Sequence, residues 1–261
     1  MKTLSTKEKE LTDLIRTISP LVVGFSGGVD SALLVQAAVN AVGTDNVVAV
    51  TASSASLAKV EYEKCKVLAD SLGWNWLEVE TDELNNPNYV KNDYDRCAHC
   101  KTSLFDALQP IALKTGSNIA LGIHVDDLSD FRPGQAVAKN RGGIFPLLEA
   151  GFTKQDVRQL AKKFNLPVWS KPAMACLASR IPTGTSVTLG RLKKVEDAEF
   201  ILGQLGFVDY RVRLRNEAGF LEITRSDFIR LSLNSELQNI IKTRFSFLGF
   251  DSVAVSINKF R

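Results

Sequence analysis

Histidine and cysteine are scarce in this chain, and it holds no tract of one sign of charge and no long apolar run. The two histidines, His99 and His124, are not placed with a serine and an aspartate as a hydrolase triad requires, so serine-hydrolase chemistry has no support. Four cysteines (Cys65, Cys97, Cys100, Cys176) in 261 residues argue for thiol chemistry or metal binding over a disulfide framework. The 32 basic and 29 acidic residues are interspersed, leaving a net charge of +3 and no basic tract, so bulk attraction to nucleic acid or a membrane surface is not expected. No apolar run reaches transmembrane length. The N-terminus has Leu11, Leu14, Ile15 and Ile18 at helical spacing instead of an apolar signal region, so a cytoplasmic protein is expected. Two familiar nucleotide loops are also missing. No Gly-Lys-Ser/Thr follows a glycine loop, and no G-x-G-x-x-G occurs.

A different phosphate loop is present. The apolar run over 21–25 reads as a buried strand and breaks into Ser26-Gly27-Gly28-Val29-Asp30-Ser31 before helical composition resumes over 32–42. Successive N–H groups in a strand–glycine loop–helix form an anion nest, reinforced by the helix dipole. Gly27 and Gly28 allow positive φ and close approach of a ligand. Ser26 and Ser31 supply hydroxyl donors, and Asp30 is placed to hold the Mg²⁺ that accompanies a nucleotide.

Strands over 46–52, 76–79 and 118–123 alternate with helices over 58–72 and 102–115, which predicts an α/β fold with a doubly wound parallel sheet. Residues 51–54 then fall at a strand's carboxyl end, beside the nucleotide's adenine or ribose. Polar loops are expected over 85–95 and 129–143, and a helix capped by Thr153 over 153–164. Hydroxyl residues and Gly184 cluster over 183–188, which places a boundary between a domain of residues 1–182 and a smaller α+β domain of residues 183–261 for substrate binding or oligomerisation. In the small domain helices are expected over 191–205 and 227–245 and strands over 208–214, 220–224 and 253–257.

Arg211, Arg213 and Arg215 alternate with apolar residues, so three guanidinium groups share one strand face, suited to a phosphate or carboxylate substrate or to the charged edge of a sheet. Glu199 and Glu222 lie in the same domain and offer acid, base or substrate-binding groups. Cys97-x-x-Cys100 admits a redox pair, zinc ligation with Cys176 and His99, an iron–sulfur cluster, or plain packing. Cys65, in mid-helix, is expected to pack. Cys176 lies in an irregular segment beside Ser179 and Arg180, where a thiolate would face an activated acyl group.

SGGVDS at 26–31 resembles the signature of the PP-loop ATP pyrophosphatase superfamily, which implies cleavage of ATP between its α and β phosphates and adenylation of a substrate oxygen. In combination with RCAHCK at 96–101, DDLSDFRPG at 126–134, PLLEAGFTKQDVR at 146–158 and ACLASRIP at 175–182, the chain is similar to the LarE family of ATP-dependent sulfur insertases. The resemblance implies adenylation of a carboxylate of pyridinium-3,5-dicarboxylate mononucleotide, attack by a cysteine sulfur and release of a thiocarboxylate, twice, toward the nickel-pincer cofactor of lactate racemase. It implies ATP and Mg²⁺ as cofactors, with Lys101, Ser179 and Arg180 closing on the same anion as the loop and Asp126 helping the nucleotide or metal. Arg211 and Arg213 would take the substrate's phosphate or carboxylate, in a homo-oligomer. Two sulfur sources occur in that family. One is Cys176 itself, leaving dehydroalanine, and this is the preferred reading; the other is sulfide on a four-iron cluster held by Cys97, Cys100 and Cys176. A tRNA thiolase would share the loop and cysteines but calls for an RNA-binding appendage, and an NAD synthetase-like amide ligase would need an ammonia source and no Cys176. A non-catalytic nucleotide-binding module would release no pyrophosphate.

Overall fold

The computed structural model describes residues 2–129, 133–172 and 175–257. Parts of the expected 129–143 loop and of the segment leading to Cys176 lie outside the described residues. The chain divides into two compact units, one of Met1–Glu83 with Asp95–Met174, the other of Leu84–Tyr94 with Ala175–Arg261. The expected boundary at 182 thus falls at 174, and a short piece of the first half belongs with the second.

The first unit runs α1 (Leu4–Ile18), β1 (Leu21–Gly24), α2 (Val29–Val42), β2 (Val47–Ser53), α3 (Lys59–Ser71) and β3 (Trp76–Glu80). After the excursion through α4 (Pro87–Lys91) it continues with α5 (Arg96–Thr115), β4 (Asn118–Leu121), α6 (Pro133–Asn140), α7 (Pro146–Glu149) and α8 (Lys154–Lys163). The four strands form a parallel sheet in the order β3-β2-β1-β4. The central strands β1 and β2 read as near-continuous apolar runs because both of their faces are covered, whereas the edge strand β3 is largely exposed. Leu21, Val23, Val47 and Ala49 point into a core with Leu11 and Ile15 of α1, Leu33 and Leu34 of α2 and Leu160 of α8. Val22, Val48 and Val50 point the other way, onto Phe105, Leu108 and Ala112 of α5.

The second unit contains α9 (Leu189–Gln204), β5 (Arg211–Arg215), β6 (Ala218–Ile223), α10 (Arg225–Ser232), α11 (Ser235–Phe247) and β7 (Ser252–Ile257). β5 and β6 form an antiparallel hairpin, and β7 adds parallel to β6. Alternate residues of β5 and β6 are buried, which is the period-2 signature of a sheet packed on one face. β5 starts at 211, later than expected, because Asp209 takes a left-handed conformation (φ 55°) that a strand cannot contain.

Three further expectations are corrected. The helix predicted over 227–245 is two helices, since Asn234 accepts from the Leu237 amide and starts a new one. The loop predicted over 85–95 holds α4, capped by Asn86 with Pro87 in its first turn. α5 begins at Arg96 instead of 102, which places Cys97, Cys100 and Lys101 on a helix.

Candidate functional site

The loop 25–28 follows β1, the strand at which the sheet order reverses direction. Crevices open outside the carboxyl ends of strands at such a switch point. A cavity of about 230 Å³ lies here, walled by Ser26, Asp30, Ser31, Thr51, Lys101 and Gly122 among others. Two glycines let the backbone close up around it. Gly27 has φ +71°, and a Cβ on it would meet the Cys65 Sγ at 2.6 Å. A Cβ on Gly122 would stand 2.7 Å from the Asp30 carbonyl carbon and the Ser31 amide nitrogen, so the end of β4 touches the backbone of α2 directly.

Gly28 is the N-cap of α2 and supplies no side-chain cap, so the first-turn N–H groups are left to whatever the cavity holds. Ser31 Oγ donates to the Gly28 carbonyl at 3.1 Å and accepts from the Ser26 amide at 3.2 Å, folding the loop over the start of α2. Thr51 donates its hydroxyl to the Phe25 carbonyl (2.9 Å) and accepts from the Trp76 indole (2.9 Å), which fixes the end of β2 beside the loop. Lys101 reaches the cavity from α5. Burial holds its ammonium below the ordinary lysine value, and the Cys100 and Cys97 thiols act in the opposite direction. An anion in the cavity would favour the charged form and oppose that lowering.

Asp30 is engaged by a residue the sequence reading did not single out. The Lys154 ammonium lies 2.7 Å from both Asp30 oxygens, and the Lys154 amide donates to Asp126 Oδ2 at 2.7 Å. Lys154 is the first residue of α8, where the dipole disfavours a cation. A lysine directly after a Thr N-cap was the available signal that an acid or an anion lies opposite. The Asp30 oxygens thus already carry a cation, and a divalent ion fits the same carboxylate. His124 is also buried here, its Nε2 3.5 Å from Asp30 Oδ1 and from Asp127 Oδ2, while its Nδ1 has no hydrogen-bond partner among the described residues.

Cys97 is exposed and Cys100 half-buried, one turn apart on α5. His99 pairs with Asp95 at 3.2 Å. Among the described residues no group of three or more His, Cys, Asp or Glu side chains is gathered as a metal site. Cys65 is fully buried, and burial pushes its thiol up to about 11.

In the second unit Cys176 is exposed and heads a turn of 3-10 helix, Leu177–Arg180. Its carbonyl accepts from the Ser179 amide (3.0 Å), the Ser179 hydroxyl (2.8 Å) and the Arg180 guanidinium (3.3 Å). Arg180 is 1% exposed. Its guanidinium donates to both Glu199 oxygens (2.8 and 3.3 Å) and to the Ala175 carbonyl (2.7 Å). Glu199 accepts in addition from the Val212 amide of β5 (3.0 Å). Arg213 donates to Glu222 across the hairpin (2.7 Å) and to the Ser179 carbonyl (3.0 Å). Burial lowers the Arg211 guanidinium from its ordinary value, and the like charges of Arg180 and Arg213 add to the effect. The structure thus gathers Ser179, Arg180, Glu199, Arg213 and Glu222 into one network that fixes the backbone on either side of Cys176. Arg180 and Glu199 are taken up by each other within it.

The sequence profile of the NAD synthase family matches residues 6–98. Over its whole length the chain is 34% identical to the pyridinium-3,5-bisthiocarboxylic acid mononucleotide synthase of Lactiplantibacillus plantarum, covering 94% of that protein. It is 37% identical to an uncharacterized protein of Synechocystis sp., over 99% of this chain and 96% of that one. A protein of Methanocaldococcus jannaschii, also uncharacterized, is 24% identical over 92% of this chain and 90% of its own.

Proposed function

Because the chain belongs to the family of the pyridinium-3,5-bisthiocarboxylic acid mononucleotide synthase, we propose that it is an ATP-dependent sulfurtransferase that adenylates a carboxylate of pyridinium-3,5-dicarboxylate mononucleotide and converts it to a thiocarboxylate. Ser26, Gly27, Gly28 and Ser31 hold the phosphates of Mg-ATP, Asp30 takes the Mg²⁺ that accompanies it, and Lys154 moves from Asp30 onto the phosphates. Lys101 meets the same anion from α5. Asp126 keeps α8 in place through the Lys154 amide.

The substrate carboxylate attacks the α-phosphorus and pyrophosphate leaves. The Cys176 thiolate then attacks the acyl-adenylate and expels AMP, giving a thioester. Removal of the Cys176 Cα proton breaks the Cβ–S bond, and the electron pair departs with the thiocarboxylate, leaving dehydroalanine. A second round on a second protein molecule gives the bisthiocarboxylate named for the relative. Arg211 and Arg213 bind the substrate's phosphate or carboxylate, with Glu199 and Glu222 holding those guanidinium groups and Arg180 in place. The observation that carries this reading is the exposed Cys176 on a turn pinned by Arg180 through the carbonyls of residues 175 and 176. That arrangement presents a single thiol on rigid backbone. Assembly of several copies belongs to the same reading, since β5 is an edge strand and Phe200, Leu233 and Phe247 are exposed. A solution mass equal to one chain would remove it.

Intact-mass measurement before and after incubation with Mg-ATP and the pyridinium substrate tests the sulfur source. A loss of about 34 Da, the mass of H₂S, is expected on turnover, and none in Cys176→Ala, which still releases pyrophosphate. An unchanged mass with bound iron and product exceeding protein would transfer Cys176, with Cys97 and Cys100, to a cluster that carries sulfide. Among the described residues no helix is long and apolar enough to cross a membrane. The substrate in this reading is a small mononucleotide.

A further inference from the structure

The far side of the phosphate loop is built as deliberately as the cavity side. The Lys171 ammonium lies 2.7 Å from Glu61 Oε2 and donates to the Gly27 carbonyl at 2.9 Å. Glu61 is buried on α3 and takes a second cation, Lys64, at 2.8 Å. Burial alone would push its carboxyl up, but the hydrogen bonds and charges of Lys171 and Lys64 outweigh it and hold the group below the usual carboxylate range. Lys171 is also fixed at its backbone, where the Arg158 guanidinium of α8 donates to its carbonyl at 3.1 Å. Cys65, one turn after Glu61 on α3, fills the space under Gly27. Two helices and the segment after α8 therefore converge on one peptide group of the loop.

In a trans peptide the carbonyl of one residue and the N–H of the next point in opposite directions. Anchoring the Gly27 carbonyl on Lys171 turns the Gly28 N–H away from Lys171, toward the opposite face of the loop. A positive-φ glycine is the position at which that peptide could most easily flip, so without an anchor the nest loses a donor. We propose that Lys171, seated on Glu61, is a positioning residue for ATP. It orients the Gly27–Gly28 peptide so that the loop binds the triphosphate, and it touches neither nucleotide nor substrate. This rests on the reading of the loop as the ATP phosphate site.

The test is calorimetric binding of Mg-ATP and of adenosine to the full chain, with no carboxylate substrate present. Lys171→Met alone strands the Glu61 carboxylate in part, so Glu61→Gln/Lys171→Met is measured beside it. Thermal melting reports which variants are folded. The folded variants are expected to lose roughly tenfold or more in Mg-ATP affinity, the worth of one hydrogen bond to a charged group, while adenosine binds within about twofold of native. Lys171→Arg, which keeps a charged donor for the Gly27 carbonyl, is expected to recover most of the loss. Native Mg-ATP affinity in a folded Met variant, equal losses for ATP and adenosine, or an Arg variant as weak as Met would each overturn the role of Lys171. Failure of the native protein to bind Mg-ATP would overturn the loop assignment and this inference together.

Discussion

Arg180 is a buried charge that pins the turn carrying an exposed cysteine. Both its oxygen-bound partners and its backbone partners lie in one compact unit, and it is the largest of the fully buried side chains. Replacing it with Met leaves Glu199 buried with one backbone amide and no cation. The expected cost is roughly 3–5 kcal/mol, the range for breaking a buried ion pair from one side. Urea unfolding would read this directly, and Arg180→Met/Glu199→Met should recover a substantial part of it. A single variant as stable as native would mean that water or another group compensates Glu199. From sequence, Arg180 was expected to bind an anion and Glu199 to offer an acid, base or substrate-binding group. That they satisfy each other was not legible there, because residues 19 apart pair only once the turn and α9 are folded.

At the scale of elements, α8 carries the clearest local code. Thr153 and Asp156 form a capping box, with the Asp156 amide donating to Thr153 Oγ1 at 3.3 Å and the Thr153 amide donating to Asp156 Oδ2 at 2.8 Å. Burial would raise the Asp156 carboxyl, but hydrogen bonds from Lys7 and Thr153 prevail and hold it below its ordinary value. A depressed folded-state value means that the carboxylate stabilises fully above the ordinary aspartate range and progressively less as pH falls through the lowered value. Asp156→Asn should therefore cost about 1 kcal/mol near neutrality, as lost caps do, and almost nothing at strongly acidic pH. Urea midpoints at the two pH values check this, and a pH-independent difference would contradict it. Thr153 was legible as a cap from sequence alone, as were the central strands of the sheet, whose apolar runs admit few other readings. The early start of α5 and the break between α10 and α11 were not. Both depend on single residues, Arg96 joining the helix and Asn234 capping one, against a composition that favours either outcome.

For the whole molecule, the parallel sheet and the smaller three-stranded sheet match the architecture expected from alternating strands and helices. What composition concealed is the path of the chain between the two units. Residues 84–94 leave the first unit after β3 and return at α5, and within the second unit they hold the stretch that follows Cys176. The Asn92 side chain donates to the carbonyls of Pro182 and Thr185, both at 2.8 Å, and the Asn92 and Val90 carbonyls accept from the amides of Gly184 and Val187. A ribosome therefore delivers these eleven residues some ninety positions before the partners that complete their hydrogen bonds. During synthesis the nascent chain carries a waiting docking strip, and the second unit closes only when its own C-terminal portion emerges. No single cut of the gene therefore parts the two units: a fragment ending at 174 would strand Asn92, and one beginning at 175 would lack it.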